Sequence, residues 1–513
     1  MGCITIFSLP ECPHCNRTKA ALTAKCIPYT EISLSDYPDK RTDMLVLADR
    51  LSVPQVFFND KHIGGADDTL ALLEKWDVEE KYSSPLERYE QDIAAIEGAP
   101  SDERLQVPTN PPFKPKPEPP RTEEDLVTLY DGSKATRLEI TQMLVAGMPK
   151  SDKNYILKRY FNVFTRQEGC DALMKLFNIG TVNEAIIFGK MLQNRQLFDH
   201  VTKEHTFSES GSFFFRLQAF QEPSMLNTYR IWTDRVDPDS MSLLARLKKM
   251  IGKIESACTN DEGFLDYVAC TEHPTYSIFE EAVCELQGVS LIDMSNDEKL
   301  AFGINLYNLM IKHAFIKIGI PSGAIARSSF FSTVGYVIGG DRLSFQDLEN
   351  GVLRANKKAP GLLSSAPFSS SDSRLALALP EVDPRIHFAL NCGAKSCPPV
   401  KKFTSDAIKE ELRIVSQAFC EQDDNVGIDE KKNEISLTKL MSWYGSDFAP
   451  SASDLPKKVI TYLRGEKKKK LEGMINSGKV IKVKFNEYDW GTNASKSMEF
   501  KRDKIVVDKV GLF

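Results

Sequence analysis

Ile4-Thr5-Ile6-Phe7-Ser8-Leu9-Pro10-Glu11-Cys12-Pro13-His14-Cys15-Asn16-Arg17-Thr18-Lys19-Ala20 is the stretch that decides how the N-terminal part folds. Ile4 to Phe7 is a β-branched and aromatic run that predicts a short strand, and Asn16 to Lys25 has helix-forming character, so Cys12 and Cys15 fall on the first turn of a helix. The unpaired N–H groups and positive dipole end of that turn favour a thiolate at Cys12. A three-residue offset returns Cys15 to the same face, where it can attack a mixed disulfide on Cys12 and release the reduced substrate. Zinc is the competing reading, but a single C-x-x-C with no second ligand pair nearby does not make a four-ligand site, and no metal is expected.

Two further strings follow in order, Ser52-Val53-Pro54-Gln55-Val56-Phe57 and Gly64-Gly65-Ala66-Asp67-Asp68. Together with Cys12-Pro13-His14-Cys15 they resemble glutaredoxin over about residues 1–80. The resemblance implies a thioredoxin fold with Pro54 in cis, so that the backbone of Val53 faces the sulfur site and pairs with glutathione. It further implies that Asp67 and Asp68 lie near the glutathione amino group, that Arg41 meets a glutathione carboxylate, and that glutathione is the co-substrate. Asp67 and Asp68 also suit helix N-capping, a role compatible with the first. One departure is Leu9, where many glutaredoxins carry a lysine; without that charge, glutathione specificity is less firmly implied than dithiol chemistry. Cys3 and Cys26 read as packing residues. Gly2-Cys3 does not complete a myristoylation pattern, because the sixth position is Ile6.

The chain has 513 residues, too many for one hydrophobic core, and its eleven cysteines are scattered rather than packed into a short secreted scaffold. No apolar run is long enough to span a bilayer and the first residues lack the layout of a secretory signal, so a cytoplasmic protein is expected. The net charge is −6, carried mostly before residue 121, with about +1 over 121–218 and about zero beyond. A nucleic-acid partner is not expected from such a balance. Pro108, Pro111, Pro112, Pro115, Pro117, Pro119 and Pro120 close a segment over 83–120 that predicts an extended, semi-rigid linker.

In the middle, Thr181-Val182-Asn183-Glu184 predicts a capping box opening a helix through Gln193, followed by Leu197 to Thr202 and the strand Phe213 to Leu217. This order of helices and a hairpin resembles a DEP domain over 130–218, a winged-helix-like unit that in its family docks signalling proteins to membrane surfaces or receptors without catalysing a reaction. A winged-helix DNA binder has similar architecture, but near-neutral charge argues against it. His200 and His205 read as hairpin residues rather than metal ligands.

Residues 224–493 carry Glu298 to Asn308, Asp383 to Pro398 and Tyr488-Asp489-Trp490, and through these strings resemble the family called domain of unknown function 547. Gly303 stands where that family usually has a bulky aromatic. Arg385 to Leu390 predicts a strand, running into a Gly-bearing turn with Asn391, Cys392, Ser396 and Cys397. Two readings stand for this candidate C-terminal site. With His387 as base and Cys392 as nucleophile it is a thiol hydrolase or transferase; alternatively it is a buried strand and turn whose polar groups satisfy the backbone. Zinc held by His387, Cys392 and Cys397 lacks a fourth ligand. Glu349 and Arg354 read either as lining the same pocket or as a surface ion pair, and Lys467 to Lys470 as a solvated helix face or an electrostatic membrane contact.

The expected fold class is multidomain α/β and α+β: a thioredoxin fold over 1–82, the linker over 83–120, the winged-helix-like DEP unit over 130–218, a large mixed α+β domain over 224–493 and a C-terminal tail over 494–513. The expected function is that of a dithiol oxidoreductase acting on glutathione and protein disulfides, tethered to a module that docks at membranes or receptors. The alternatives are a redox-sensing adaptor peripheral to the membrane and a C-terminal thiol hydrolase.

Overall fold

The computed structural model describes residues 2–9, 12–37, 39–78, 81–108, 126–155, 158–232, 240–361, 364–505 and 508–510. Two compact units form: residues 1–119 with 403–435 and 456–482, and residues 120–402 with 436–455 and 483–513. No helix among the described residues is long and apolar enough to cross a membrane.

The first unit is built on strand β1 (Ile4–Ser8), helix α1 (Pro13–Ala24), β2 (Thr30–Ser33), α2 (Lys40–Ala48), β3 (Gln55–Phe58), β4 (Lys61–Gly64) and α3 (Ala66–Asp77). The sheet order is β2-β1-β3-β4, with β1 and β2 parallel and the other pairs antiparallel. This is the expected thioredoxin fold. Period-two alternation sorts the apolar residues onto two faces. Ile4, Ile6, Val56 and Phe58 pack with Leu22 of α1 and Leu73 and Trp76 of α3, while Phe7, Ile32 and Phe57 pack with Met44, Leu45 and Ala48 of α2.

Each face recruits residues that the expected boundaries placed elsewhere. Residues 83–108 are not a spacer: a short helix Pro85–Tyr89 and a wide turn Glu90–Ala94 bury Tyr89, Ile93 and Ala94 in the first core, and Leu105 joins the second. Thr5 on β1 donates its hydroxyl to the Leu105 carbonyl at 3.2 Å. Their apolar side chains cover a sheet that would otherwise face water. The proline cluster from Pro111 onward lies outside the described residues. The second face is completed by Ala407 and by Ile414 of the helix Ile408–Cys420, so residues 403–435 join the first unit rather than the large C-terminal body. Cys26, expected to pack, is exposed and takes a left-handed conformation just past α1.

In the second unit, helices Arg137–Gly147, Arg166–Phe177 and Val182–Asn194 and the strands Lys158–Thr165, Phe198–His200 and Phe214–Leu217 enclose one core that includes Phe164, Leu173, Phe188, Phe198, Phe207 and Phe215. Thr181 caps its helix by accepting the Glu184 N–H at 3.3 Å, and its hydroxyl donates to the Glu184 carboxylate at 2.6 Å. The same unit contains the 22-residue helix Asn296–Lys317, buried almost all round as expected of a helix at the centre of a large body. A Cβ on Gly303 would come within 2.7 Å of Leu353 Cδ2, so the packing of that side chain occupies the space a bulky residue would need.

The predicted strand over 385–390 is instead a 3-10 turn, Pro384–Phe388, capped by the Asp383 carboxylate on the Arg385 N–H. Asp383 before Pro384 carries a helix-start signal that overrides the apolar alternation. The expected tail is also structured. Ala494–Lys496 pairs in parallel with Leu265–Asp266, Phe500 is buried, and Asp508–Val510 pairs with Lys158–Tyr160 at the edge of a five-stranded sheet.

Candidate active site

Cys12 is the N-cap of α1 and Pro13 its first helical residue, a position where a missing N–H costs nothing. In that geometry the Cys12 sulfur accepts the backbone N–H of Cys15 at 3.2 Å, the bond an N-cap oxygen would otherwise accept. The Val53-Pro54 peptide is cis, and the Val53 carbonyl lies 3.8 Å from the Cys12 sulfur. The strands and helix that the sequence separates by some forty residues therefore converge on one sulfur.

The two cysteines are unequal. Cys12 is partly exposed, whereas Cys15 is fully buried and its thiol is pushed up to about 12 by burial and by its hydrogen bond with Cys12. Cys15 is thus held as a protonated thiol, chiefly by its burial. A partly exposed sulfur with a buried, protonated one behind it is the arrangement a nucleophile and a resolving thiol require.

Around this pair, Gly65 caps α3, and the Asp68 carboxylate accepts the Gly65 N–H at 3.0 Å and pairs with Arg50 at 2.9 Å. The Gly65 N–H first and Arg50 second hold Asp68 below the usual carboxylate value. Asp67 is exposed and pairs with Arg17 of α1. Arg41 points elsewhere: its Nε donates to Glu411 at 2.8 Å, and the Glu411 side chain is fully buried, with a second bond from the Thr404 N–H at 2.6 Å. Sequence reasoning missed Glu411, which lies 370 residues away and carries no local motif.

The C-terminal candidates separate into two groups. His387 donates from Nε2 to the Asp447 carboxylate at 2.9 Å, stacks on Tyr444 at 3.9 Å, and its side chain is 1% exposed. Burial holds its imidazole below the ordinary value, while Asp447, despite burial that would raise it, is held well down by His387 and Arg354. Arg354 donates to Asp447 at 2.7 Å and Tyr444 donates to Glu349 at 2.6 Å, so Glu349 and Arg354 belong to this buried network and not to a surface pair. Among the described residues no hydrogen bond joins His387 to either cysteine. A histidine-activated Cys392 is therefore not what the geometry provides.

The cysteines have another partner. Cys392 and Cys397 sulfurs stand 3.1 Å apart, and the Tyr488 hydroxyl lies 3.0 Å from Cys397 and 3.5 Å from Cys392. Asn391 ties the turn by donating to the Pro398 carbonyl at 2.7 Å and accepting the Gly393 N–H at 2.7 Å. Gly393 has φ +87°, and a Cβ there would lie 2.3 Å from Phe315, so glycine is required. Ser396 accepts the Asp489 N–H at 2.8 Å, which docks the Tyr488-Asp489-Trp490 segment over the turn. No cluster of three or more metal-ligating side chains occurs among the described residues.

Three family models match the chain: Glutaredoxin over residues 4–63, Domain found in Dishevelled, Egl-10, and Pleckstrin (DEP) over 147–217, and Protein of unknown function, DUF547, over 291–420. Glutaredoxin 3 of Escherichia coli (strain K12) is 38% identical over 72 residues, which cover 14% of this chain and 87% of that protein. A glutaredoxin of Pseudomonas aeruginosa is 33% identical over 69 residues, covering 14% of this chain and 82% of the relative. The solution structure of glutaredoxin from Brucella melitensis matches at 36% identity with a TM-score of 0.14, covering 15% of this chain and 85% of that one.

Proposed function

Because the chain belongs to the glutaredoxin family through its N-terminal domain, we propose that Cys12 and Cys15 reduce glutathione mixed disulfides and protein disulfides, with glutathione as the co-substrate that restores the dithiol. That domain is a thiol-disulfide oxidoreductase, and the DEP domain is a signalling module. The observation that carries the reading is the Cys12 sulfur at the start of α1, accepting the Cys15 N–H beside the cis Val53-Pro54 peptide. A substrate disulfide approaches the partly exposed Cys12, whose sulfur attacks; one substrate sulfur leaves, and the other stays bound to Cys12. Cys15 then attacks Cys12 to release a protein substrate, or glutathione attacks when the bound group is itself glutathione.

In this reading the Val53 backbone pairs with the glutathione peptide, and Asp67 and Asp68 face its amino group. Arg41 enters only by exchanging Glu411 for a glutathione carboxylate. The DEP domain docks the oxidoreductase to a protein partner at a cytoplasmic membrane surface.

The test is turnover of a glutathionylated peptide by single variants. Cys12→Ser is expected to lose activity by at least about a hundredfold, since no other sulfur occupies the attacking position. Cys15→Ser should keep part of the activity on glutathione mixed disulfides, which need one enzyme sulfur, and lose it on protein disulfides. Full activity in Cys12→Ser would overturn the assignment.

A further inference from the structure

We propose that Cys392 and Cys397, beneath the hydroxyl of Tyr488, form a second redox-active dithiol that is oxidised reversibly to an intramolecular disulfide by small disulfides such as glutathione disulfide. The proposal is independent of Cys12 and Cys15. It rests first on geometry. The sulfurs are 3.1 Å apart across a turn, against about 2.05 Å in a disulfide, so closing about 1 Å makes the bond. The turn holds them there through the Cys397 N–H on the Ala394 carbonyl at 3.0 Å, the Asn391 bonds and the glycine at 393 packed on Phe315.

The surroundings also divide the labour between the sulfurs. Cys397 accepts the Cys392 N–H at 3.1 Å and has the Tyr488 hydroxyl at 3.0 Å, so its thiolate finds donors ready made. The hydrogen bond from Cys392, with Tyr488 and backbone N–H groups behind it, holds Cys397 below the ordinary thiol value, at about 7, despite burial. Cys392 is pushed up by donating to Cys397 and by burial, and Tyr488 is pushed up by burial, so both remain proton donors. Both residues are partly exposed. Another thiol pair, Cys258 and Cys270, has no tyrosine hydroxyl on it among the described residues; Cys270 is fully buried and raised first by that burial, which makes the pair an internal comparison.

The step balances as follows. The Cys397 thiolate attacks one sulfur of R–S–S–R; that S–S bond breaks, the first RS⁻ leaves and takes a proton from solvent, and Cys397–S–S–R remains. Cys392 gives its proton to solvent and attacks the Cys397 sulfur, breaking the mixed disulfide and releasing a second RS⁻. Two enzyme thiols are oxidised and one disulfide becomes two thiols; excess thiol drives the reverse. Trp443 and Trp490 stand 4.8 and 4.7 Å from the Tyr488 ring, with the Arg327 guanidinium 4.2 Å over Trp490.

The experiment uses the full chain carrying Cys12→Ser and Cys15→Ser, equilibrated at pH 7 with glutathione and glutathione disulfide in graded ratios, then alkylated and digested with trypsin. Lys395 lies between the cysteines, so the oxidised pair survives as two linked peptides and the reduced pair as two alkylated ones. Both alkylated peptides are expected to vanish together as the linked pair appears, and to return with dithiothreitol, while Cys258 and Cys270 stay unlinked. Retention of both alkylated forms at every ratio, or a glutathione adduct on one cysteine without the link, would overturn the proposal. With Tyr488→Phe, alkylation of Cys397 at pH 7 is expected to slow several-fold and its pH profile to move upward, while the link still forms at about pH 9. An unchanged profile would overturn the part given to Tyr488.

Discussion

Leu9 stands three residues before Cys12, and its side chain packs on the cluster of Phe7, Phe57, Ala407 and Ile414. The missing positive charge noted in the sequence therefore has a structural counterpart: the position is turned toward apolar residues that a lysine head would have to avoid. Leu9→Lys is expected to speed alkylation of Cys12 at neutral pH, because a nearby cation favours the thiolate, and to cost about 1–2 kcal/mol of stability through lost apolar burial. Alkylation rates against pH, with urea unfolding of the same variant, check both halves. An unchanged alkylation profile would mean that the position does not face the sulfur. At this scale the N-terminal dithiol was legible because its chemistry is local, with N-cap, proline and second cysteine within four residues. The C-terminal site was only half legible: Cys392, Cys397 and the string at Tyr488 stood out, but nothing local joins Tyr488 to Cys397, 91 residues away, or Asp447 to His387, 60 residues away.

Among the elements, the helix Ile408–Cys420 departs furthest from expectation. It carries the buried Glu411 to Arg41 of α2, and its Arg413 pairs with Asp49 at the end of that helix at 2.6 Å. Removing one member of a buried pair leaves the other uncompensated, so Arg41→Ala is expected to destabilise the first unit by about 3–5 kcal/mol. If Arg41 instead serves glutathione with Glu411 as a minor neighbour, the same variant will raise the KM for glutathione and leave urea unfolding almost unmoved. Measuring both quantities on one preparation separates the outcomes. The first strand was readable from its β-branched and aromatic run and the helix Val182–Asn194 from its Thr181 cap. The segment over 385–390 was not, because an alternating apolar run looks alike in a strand and in a buried 3-10 turn.

For the whole molecule, acid should loosen the second unit. Glu280 is buried with His313 and with Lys317 at 2.5 Å; against burial, which would raise it, Lys317 and His313 hold its carboxyl down at about 2. A depressed carboxyl stabilises the fold above its unfolded value, about 4.3, and loses that contribution as pH falls toward 2. His313 and His387 are held below the ordinary imidazole value by burial, so the unfolded chain takes up their protons first as pH falls below about 6.5. Both effects have one sign, and calorimetry of the full chain is expected to show the unfolding temperature of this unit falling steadily from pH 7 to pH 4. A flat profile would contradict it, and Glu280→Gln should flatten its lower part. Charge predicts membrane behaviour in the same way. Lys467 is tied to Asp423 at 3.0 Å and Lys469 to Glu466 at 2.9 Å, which pairs two of the four lysines of the run with carboxylates. Sedimentation with anionic liposomes is expected to be weak and unchanged when Lys467 to Lys470 become glutamine, whereas strong, salt-sensitive binding lost in that variant would make the run a lipid contact. Finally, the core beneath Phe7 and Ile32 is closed by Ala407 and Ile414, about 300 residues after Leu105. At roughly 5–20 residues per second a ribosome needs about 15–60 s to supply them. For that interval the nascent oxidoreductase presents an uncovered greasy face, a landing place for chaperones, and a chain cut before residue 403 would keep it for life.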